Sequence, residues 1–212
     1  MPNAYMPVGI SLKKSRCLVV GGGTVALRKV DNLLNYASEV TVVAPEIHEK
    51  LDYYARRGLI KVEKREYKSP EAAQYGIVIA ACDNKELNGK IYEDCRKSAT
   101  LVNTVDNPAL CDFIFPAVVQ RDCLTIAVSS DGKAPFLAGN LKLILENIFP
   151  DHWQKIASLA ARFRKMVMDR WDDEIEKKNA CYERFIAADW KTIIKEKNDH
   201  EIDNFISGML EF

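Results

Sequence analysis

Short β-branched apolar runs recur through the first two thirds of the chain, separated by stretches in which apolar residues return every third or fourth position. Residues 17–20, 40–43, 60–63, 77–80 and 101–103 are the predicted strands. Most are nearly unbroken apolar runs, as expected of parallel strands covered on both faces. Residues 24–36, 45–57 and 85–98 read as helices between them. Strand alternating with helix, joined by right-handed crossovers, predicts an α/β, Rossmann-like doubly wound parallel sheet.

The pattern then changes. Residues 113–119 and 124–128 read as a hairpin joined through Gln120-Arg121-Asp122-Cys123. A loop, Ser129-Ser130-Asp131-Gly132-Lys133, leads into a helix ending near Phe149-Pro150. Beyond it, Trp153, Ile156, Ala160, Phe163 and Val167 fall on one helical face, and Phe185, Ile186, Trp190 and Ile193 on a second. The last 62 residues carry 24 charged side chains, a solvated helical segment that needs a partner surface. The expected organisation is a nucleotide-binding domain over 1–112, a small α+β segment of hairpin plus helix over 113–150, and a helical C-terminal domain over 151–212.

Composition narrows the function. Of 212 residues, 48% are apolar and 28% charged, ordinary for a globular protein. Thirty Lys and Arg balance thirty Asp and Glu, so no global basic surplus points to nucleic acid. The chain has no run of 18 apolar residues, and its N-terminal sequence lacks the charged and apolar regions of a secretory leader. Neither a membrane nor a nucleic-acid partner is expected, and the expected location is cytoplasmic. Six scattered cysteines without a CxxC pair read as buried reduced thiols, and no metal site is assigned.

The most informative stretch is Leu18-Val19-Val20-Gly21-Gly22-Gly23-Thr24-Val25-Ala26. It fits G-x-G-x-x-A directly after a strand and at the start of a helix, the context that gives this motif meaning. Gly21 permits the tight turn, Gly22 continues it, Gly23 lets backbone approach a pyrophosphate, and Ala26 lets the helix pack on the strand. The free N–H groups at Thr24 and Val25, with the positive end of the helix dipole, suit phosphate.

The acidic residue expected on the cofactor ribose falls near Val43-Ala44-Pro45-Glu46. Glu46 either contacts the ribose or favours the first turn of the next helix. No Arg follows this strand to hold a 2′-phosphate, so NAD is expected rather than NADP. At the fourth strand's end, Ala81 leaves room for the cofactor; Asp83 or Asn84 is placed to bond it, to cap the next helix, or both. Asp106, just past the fifth strand, is placed to take a proton in chemistry coupled to hydride transfer. By spacing alone, Asp106-Asn107-Pro108 is equally an ordinary turn.

Taken in order, Val20-Gly21-Gly22-Gly23-Thr24-Val25-Ala26-Leu27-Arg28-Lys29, Ala80-Ala81-Cys82-Asp83-Asn84, Asn103-Thr104-Val105-Asp106, Cys111-Asp112-Phe113-Ile114-Phe115-Pro116-Ala117 and the stretch from Leu124 to Pro135 decide more than any one motif. Together they resemble the precorrin-2 dehydrogenase and sirohydrochlorin ferrochelatase family, the N-terminal module of sirohaem synthases. The resemblance implies NAD-dependent oxidation of precorrin-2, a tetrapyrrole, to sirohydrochlorin, with Asp106 as the catalytic aspartate. It also implies a homodimer formed through the hairpin and the helix after it. Some relatives insert iron as well; Asp106 and, less directly, His152 are the groups available for that. The substrate carries many carboxylates, so cations should face it: Lys133 first, then Arg121, Arg28 and Lys29, with Ser130 on the same loop as Lys133. Two departures stand out. Asp131 replaces a glycine common in the family, and Tyr36-Ala37 stands where many members end the first helix with glycine. A non-catalytic NAD-sensing domain is the alternative; it shares the glycine turn but has no need of the Phe-Ile-Phe-Pro segment.

Overall fold

The computed structural model describes residues 5–212, which form two compact units parting between Phe115 and Pro116. The first unit is a five-stranded sheet: β1 (Arg16–Val20), β2 (Glu39–Val43), β3 (Lys61–Glu63), β4 (Ile77–Ala80) and β5 (Leu101–Thr104). Its order is β3-β2-β1-β4-β5 and every pairing is parallel. This is the doubly wound arrangement, in which the strand order reverses beside β1 and ligands bind at the carboxyl edge. Helices α1 (Thr24–Leu33), α2 (Glu49–Arg56) and α3 (Lys85–Ser98) form the crossovers.

Side chains alternate across each strand, which divides the apolar interior in two. Cys17, Val19, Val40, Val42, Ile77 and Ile79 pack with Val30, Leu33 and Leu51 of α1 and α2. Leu18, Val20, Val43, Val78, Ala80 and Val102 pack with Ile91 and Cys95 of α3. Strands buried on both faces are apolar at most positions, hence the nearly unbroken runs in the sequence; Thr41, Asn103 and Thr104 are the buried polar exceptions within them.

Element boundaries agree with the sequence expectation to within two residues except at three places. The second helix starts at Glu49, not at 45, because residues 44–48 are tied to the glycine turn. His48 donates its N–H to the Gly22 carbonyl at 2.7 Å, and its ring Nδ1 accepts the Lys50 N–H at 3.1 Å as the helix cap. Pro45 and Glu46 therefore lie in an exposed loop, and Glu46 plays no part in a first helical turn. The first helix ends at Leu33 rather than 36, and a tight turn with Ala37 N–H on the Leu33 carbonyl at 2.8 Å closes it. Ala37 keeps a negative φ, so replacing the glycine common at this place costs nothing in backbone strain. Asp131 does adopt the left-handed region (φ 52°), followed by Gly132 (φ 75°). Asp is among the few residues other than glycine that visit this region readily.

The hairpin also begins later than expected. Phe113 and Phe115 are not in a strand; their rings meet edge to face at 5.5 Å and pack against the first unit's core. The strands of the second unit are β6 (Ala117–Arg121) and β7 (Leu124–Val128), an antiparallel pair followed by α4 (Pro135–Ile148). Four more helices complete the unit: α5 (Trp153–Arg170), α6 (Ile175–Ala187), α7 (Trp190–Glu196) and α8 (Asp199–Gly208). Along α5, Ile156, Phe163 and Val167 are buried, with Trp153 and Ala160 packed beside them. The second expected helical face is broken in two, because Asp189 caps α7 by accepting the Thr192 N–H. Phe185 and Trp190 are still brought together, ring centroids 4.3 Å apart and the indole N–H on the Phe185 carbonyl at 2.7 Å. Ile186, by contrast, is left on the surface.

All six cysteines are free. Burial, more than any neighbouring carboxylate, raises the Cys17 and Cys82 thiols to about 11 and Cys95 to about 12. Cys123 departs from the expectation of burial and is exposed. No helix among the described residues is long and apolar enough to cross a membrane.

Candidate active site

The glycine turn sits between the two loops that flank it at the carboxyl edge of the sheet. Gly21 has φ 125°, and a Cβ there would stand 2.2 Å from the Ala81 carbonyl oxygen. A Cβ on Gly22 would stand 1.9 Å from the Glu46 carbonyl oxygen. The turn thus touches the β4–α3 loop on one side and the β2–α2 loop on the other. Two ladder-like bonds hold it there: Gly21 N–H to the Val43 carbonyl at 3.0 Å and Ala81 N–H to the Val20 carbonyl at 2.8 Å.

Gly23 is different. It is exposed, with φ −83° and nothing within 4 Å of where its Cβ would be. It is the N-cap of α1, yet no side chain caps this helix and no acid lies in its first turn. The other crossover helices are both capped and acidic: His48 with Glu49 and Asp52 on α2, Asn84 with Glu86 on α3. The α1 terminus therefore presents unpaired N–H groups and an uncompensated dipole end to open space, through exposed Thr24 and Val25. A dinucleotide pyrophosphate fits this cradle. Near the same edge, the buried Thr104 hydroxyl at the end of β5 has no hydrogen-bond partner.

The structure places the expected cofactor set, Gly21, Gly22, Gly23, Thr24, Val25, Pro45, Glu46, Ala81 and Asp83, in the turns leaving β1, β2 and β4 and in the first turn of α1. Asn84, and not Asp83, caps α3, its Oδ1 accepting the Glu86 and Leu87 N–H groups at 2.9 and 3.1 Å. Asp83 is left exposed in the loop ahead of it.

Asp106 follows β5 by two residues, is exposed, and has φ 59°. Its turn is held by a residue the sequence reading did not single out. The Cys111 sulfur accepts the Thr104 N–H at 3.2 Å, and its S–H has the Thr104 and Asn107 carbonyls as acceptors at 3.2 and 3.3 Å. One thiol so grips the chain on both sides of Val105-Asp106. Asp112 continues the fastening: its backbone N–H reaches the Val102 carbonyl at 2.8 Å and its carboxylate accepts the Val102 N–H at 3.1 Å. Burial, partly offset by the Thr104 N–H and Lys29, raises the Cys111 thiol above its ordinary value, which keeps its hydrogen in place.

A cation completes this corner. The Lys29 ammonium lies over the Phe115 ring, 4.2 Å from its centroid. Burial lowers its pKa, while Cys111 and Asp106 act in the opposite sense. The sequence ranked Lys29 low because its place early in a helix suited a surface charge.

The remaining candidates lie in the second unit. Arg121 is already engaged, donating to the Phe149 carbonyl at 2.8 Å and the Gln120 carbonyl at 2.8 Å, with Asp151 at 3.7 Å. It fastens the hairpin to the end of α4. Ser130 accepts the Ala134 N–H at 3.0 Å, shaping the loop before α4, and Lys133 on that loop is exposed. His152 occupies the N-cap position of α5 but makes no side-chain cap bond.

A family described as "Putative NAD(P)-binding" matches residues 8–117, just over half of the chain. The chain belongs to this NAD(P)-binding family. Siroheme synthases are among the curated proteins to which this chain is similar. That of Nitrosococcus oceani is 39% identical over 166 residues, covering 78% of this chain and 36% of the relative. That of Nitrosomonas europaea is 34% identical over 208 residues, covering 98% and 44%. That of Pseudomonas putida strain W619 is 42% identical over 169 residues, covering 80% and 36%. The chain thus spans less than half the length of these relatives. A solved structure titled "SirC, precorrin-2 dehydrogenase" has the same fold, with a TM-score of 0.78 at 21% identity, covering 98% of this chain and all of that one.

Proposed function

We propose that this protein is an NAD-dependent dehydrogenase that oxidises precorrin-2 to sirohydrochlorin. The observation that carries the reading is the pairing, on one sheet edge, of an uncapped helix N-terminus behind a glycine turn with the Asp106 carboxylate. The names of the siroheme synthase relatives and of the SirC structure supply the substrate class.

In this reading Gly21, Gly22, Gly23, Thr24 and Val25 bind the cofactor pyrophosphate through backbone N–H groups. Pro45 and Glu46 border the ribose, with Glu46 as acceptor for its hydroxyls, and Ala81 and Asp83 line the approach. The 44–48 loop offers no Arg or Lys to a 2′-phosphate, which favours NAD over NADP. Bound there, the cofactor supplies the hydride acceptor. Dehydrogenation removes one hydride and one proton from the substrate, and Asp106 receives the proton as general base. Ser130 and Lys133 are further substrate contacts on the strength of the family resemblance. We assign Arg121 a structural role, since its donors are engaged.

We also propose a homodimer. Helix α4 exposes Phe136, Leu137, Leu141, Leu143, Ile144 and Ile148, while only Ala138 along it is buried. So much exposed apolar surface on one helix, beside the Lys142–Glu146 pair, needs covering, and self-association through it accounts for the pattern. Leu143→Asp is expected to give a monomer by sedimentation at concentrations where the wild type is dimeric; a wild type that is monomeric there rejects the dimer. Free cysteines suit a reducing compartment, and we place the protein in the cytoplasm.

The deciding assay incubates purified protein with precorrin-2, with and without NAD. Sirohydrochlorin absorbance and NADH should appear only with NAD. Tight NAD binding without turnover would favour a sensing domain instead. Adding Fe²⁺ or Co²⁺ to the product tests metal insertion separately.

A further inference from the structure

Lys29 is the sixth residue of α1, and a helical side chain leans back toward its helix's N-terminus. A long one at this position returns its head toward the first turn, at the carboxyl edge of the sheet. The ammonium is found over Phe115 at 4.2 Å and within the electrostatic reach of Asp106 and Cys111. Among the described residues, no carboxylate lies within 4.0 Å of it and no hydrogen bond engages it. Lys50 makes the contrast clear. It too lies over a ring, that of Tyr54, but is bonded to Asp31 at 3.3 Å. Half-buried ammonium groups without an acceptor are costly, and an aromatic face satisfies only part of the charge.

We propose that Lys29 anchors a carboxylate of the substrate beside Asp106, so that one fixed cation sets where the polycarboxylate ring lies relative to the base. The proposal rests on the tetrapyrrole reading above and adds a residue to it. Lys29 has three donors free for an anionic group. The Phe115 ring already positions the ammonium, 4.2 Å from its centroid, so little freedom is lost when that group arrives. Asp106 is close enough to be felt but does not consume the cation as an ion pair.

The test uses Lys29→Met, which keeps an unbranched side chain without the charge, and Lys29→Arg, which restores the charge. For Lys29→Met, KM for precorrin-2 should rise about tenfold to a hundredfold, as expected for one lost charge-assisted contact. Its kcat should change far less, and its Kd for NAD should stay at the wild-type value. The affinity for sirohydrochlorin, read by fluorescence quenching without turnover, should weaken in parallel with KM. Lys29→Arg should recover most of both. Unchanged KM and sirohydrochlorin affinity in Lys29→Met would overturn the proposal. So would a weakened NAD Kd, which would assign the ammonium to the dinucleotide, or a fall in kcat alone, which would assign it to Asp106. If the wild type turns over precorrin-2 while Lys29→Met matches it, only the anchor is lost. A wild type inert toward precorrin-2 removes the proposed function and the anchor together.

Discussion

Asp106→Asn should lower kcat for precorrin-2 oxidation on the order of a hundredfold or more, the usual contribution of a positioned general base. Asparagine is the informative substitution because of the backbone. Asp106 has φ 59°, a conformation asparagine shares readily, whereas alanine there costs about 1–2 kcal/mol. The asparagine variant keeps shape, size and turn while removing the proton acceptor. The Cys111 bonds to Thr104 and Asn107 do not involve the Asp106 side chain and should survive. NAD affinity and melting temperature should therefore stay close to wild type. Stopped-flow measurement of NADH formation under saturating substrate is the direct check. Wild-type kcat in a folded, NAD-binding Asp106→Asn protein would take this carboxylate out of the chemistry.

A second large effect separates two neighbouring glycines. Gly23→Ala should leave stability nearly untouched, since a Cβ there meets nothing within 4 Å and φ is −83°. The new methyl would occupy the space through which a pyrophosphate reaches the helix N-terminus. Loss of one or two charge-assisted backbone contacts, about 2 kcal/mol, corresponds to a roughly thirtyfold weaker Kd for NAD. Gly22→Ala should do the reverse first. Its Cβ would stand 1.9 Å from the Glu46 carbonyl oxygen and 2.9 Å from the Ile47 Cα, both backbone. The β2–α2 loop must move, and its bond from His48 to Gly22 with it. Overpacking of this kind costs roughly 3 kcal/mol or more. Thermal unfolding combined with NAD titration by calorimetry reads both variants. A Gly23→Ala protein that binds NAD as wild type does would move the cofactor away from this turn.

The sequence carried the sheet. Mostly apolar runs of the right length mark the strands, because the strands covered on both faces leave few polar positions to blur the signal, whereas edge strand β3, Lys61-Val62-Glu63, is marked more weakly. The glycine turn was equally plain, since its chemistry is backbone chemistry, written directly in the absence of side chains. Asp106 was legible as a position, just past β5, and the family resemblance supplied its role. Helix starts were less legible. Nothing local says that Glu49 rather than Pro45 begins α2, because the bond that ties down its cap residue His48 runs to Gly22, 26 residues earlier.

Tertiary structure alone decided what surrounds each candidate side chain. Cys111 reads as one more thiol in an apolar stretch, and becomes the clasp of the Asp106 turn only when the chain returns along β5. The surroundings of Lys29 and Arg121, both candidate cations, are set in the same way. One ammonium was carried onto Phe115, 86 residues away, and one guanidinium was spent on the Phe149 carbonyl, 28 residues away. Periodicity and backbone need are local properties that a sequence states outright, whereas a side chain's partner is set by where distant segments come to rest.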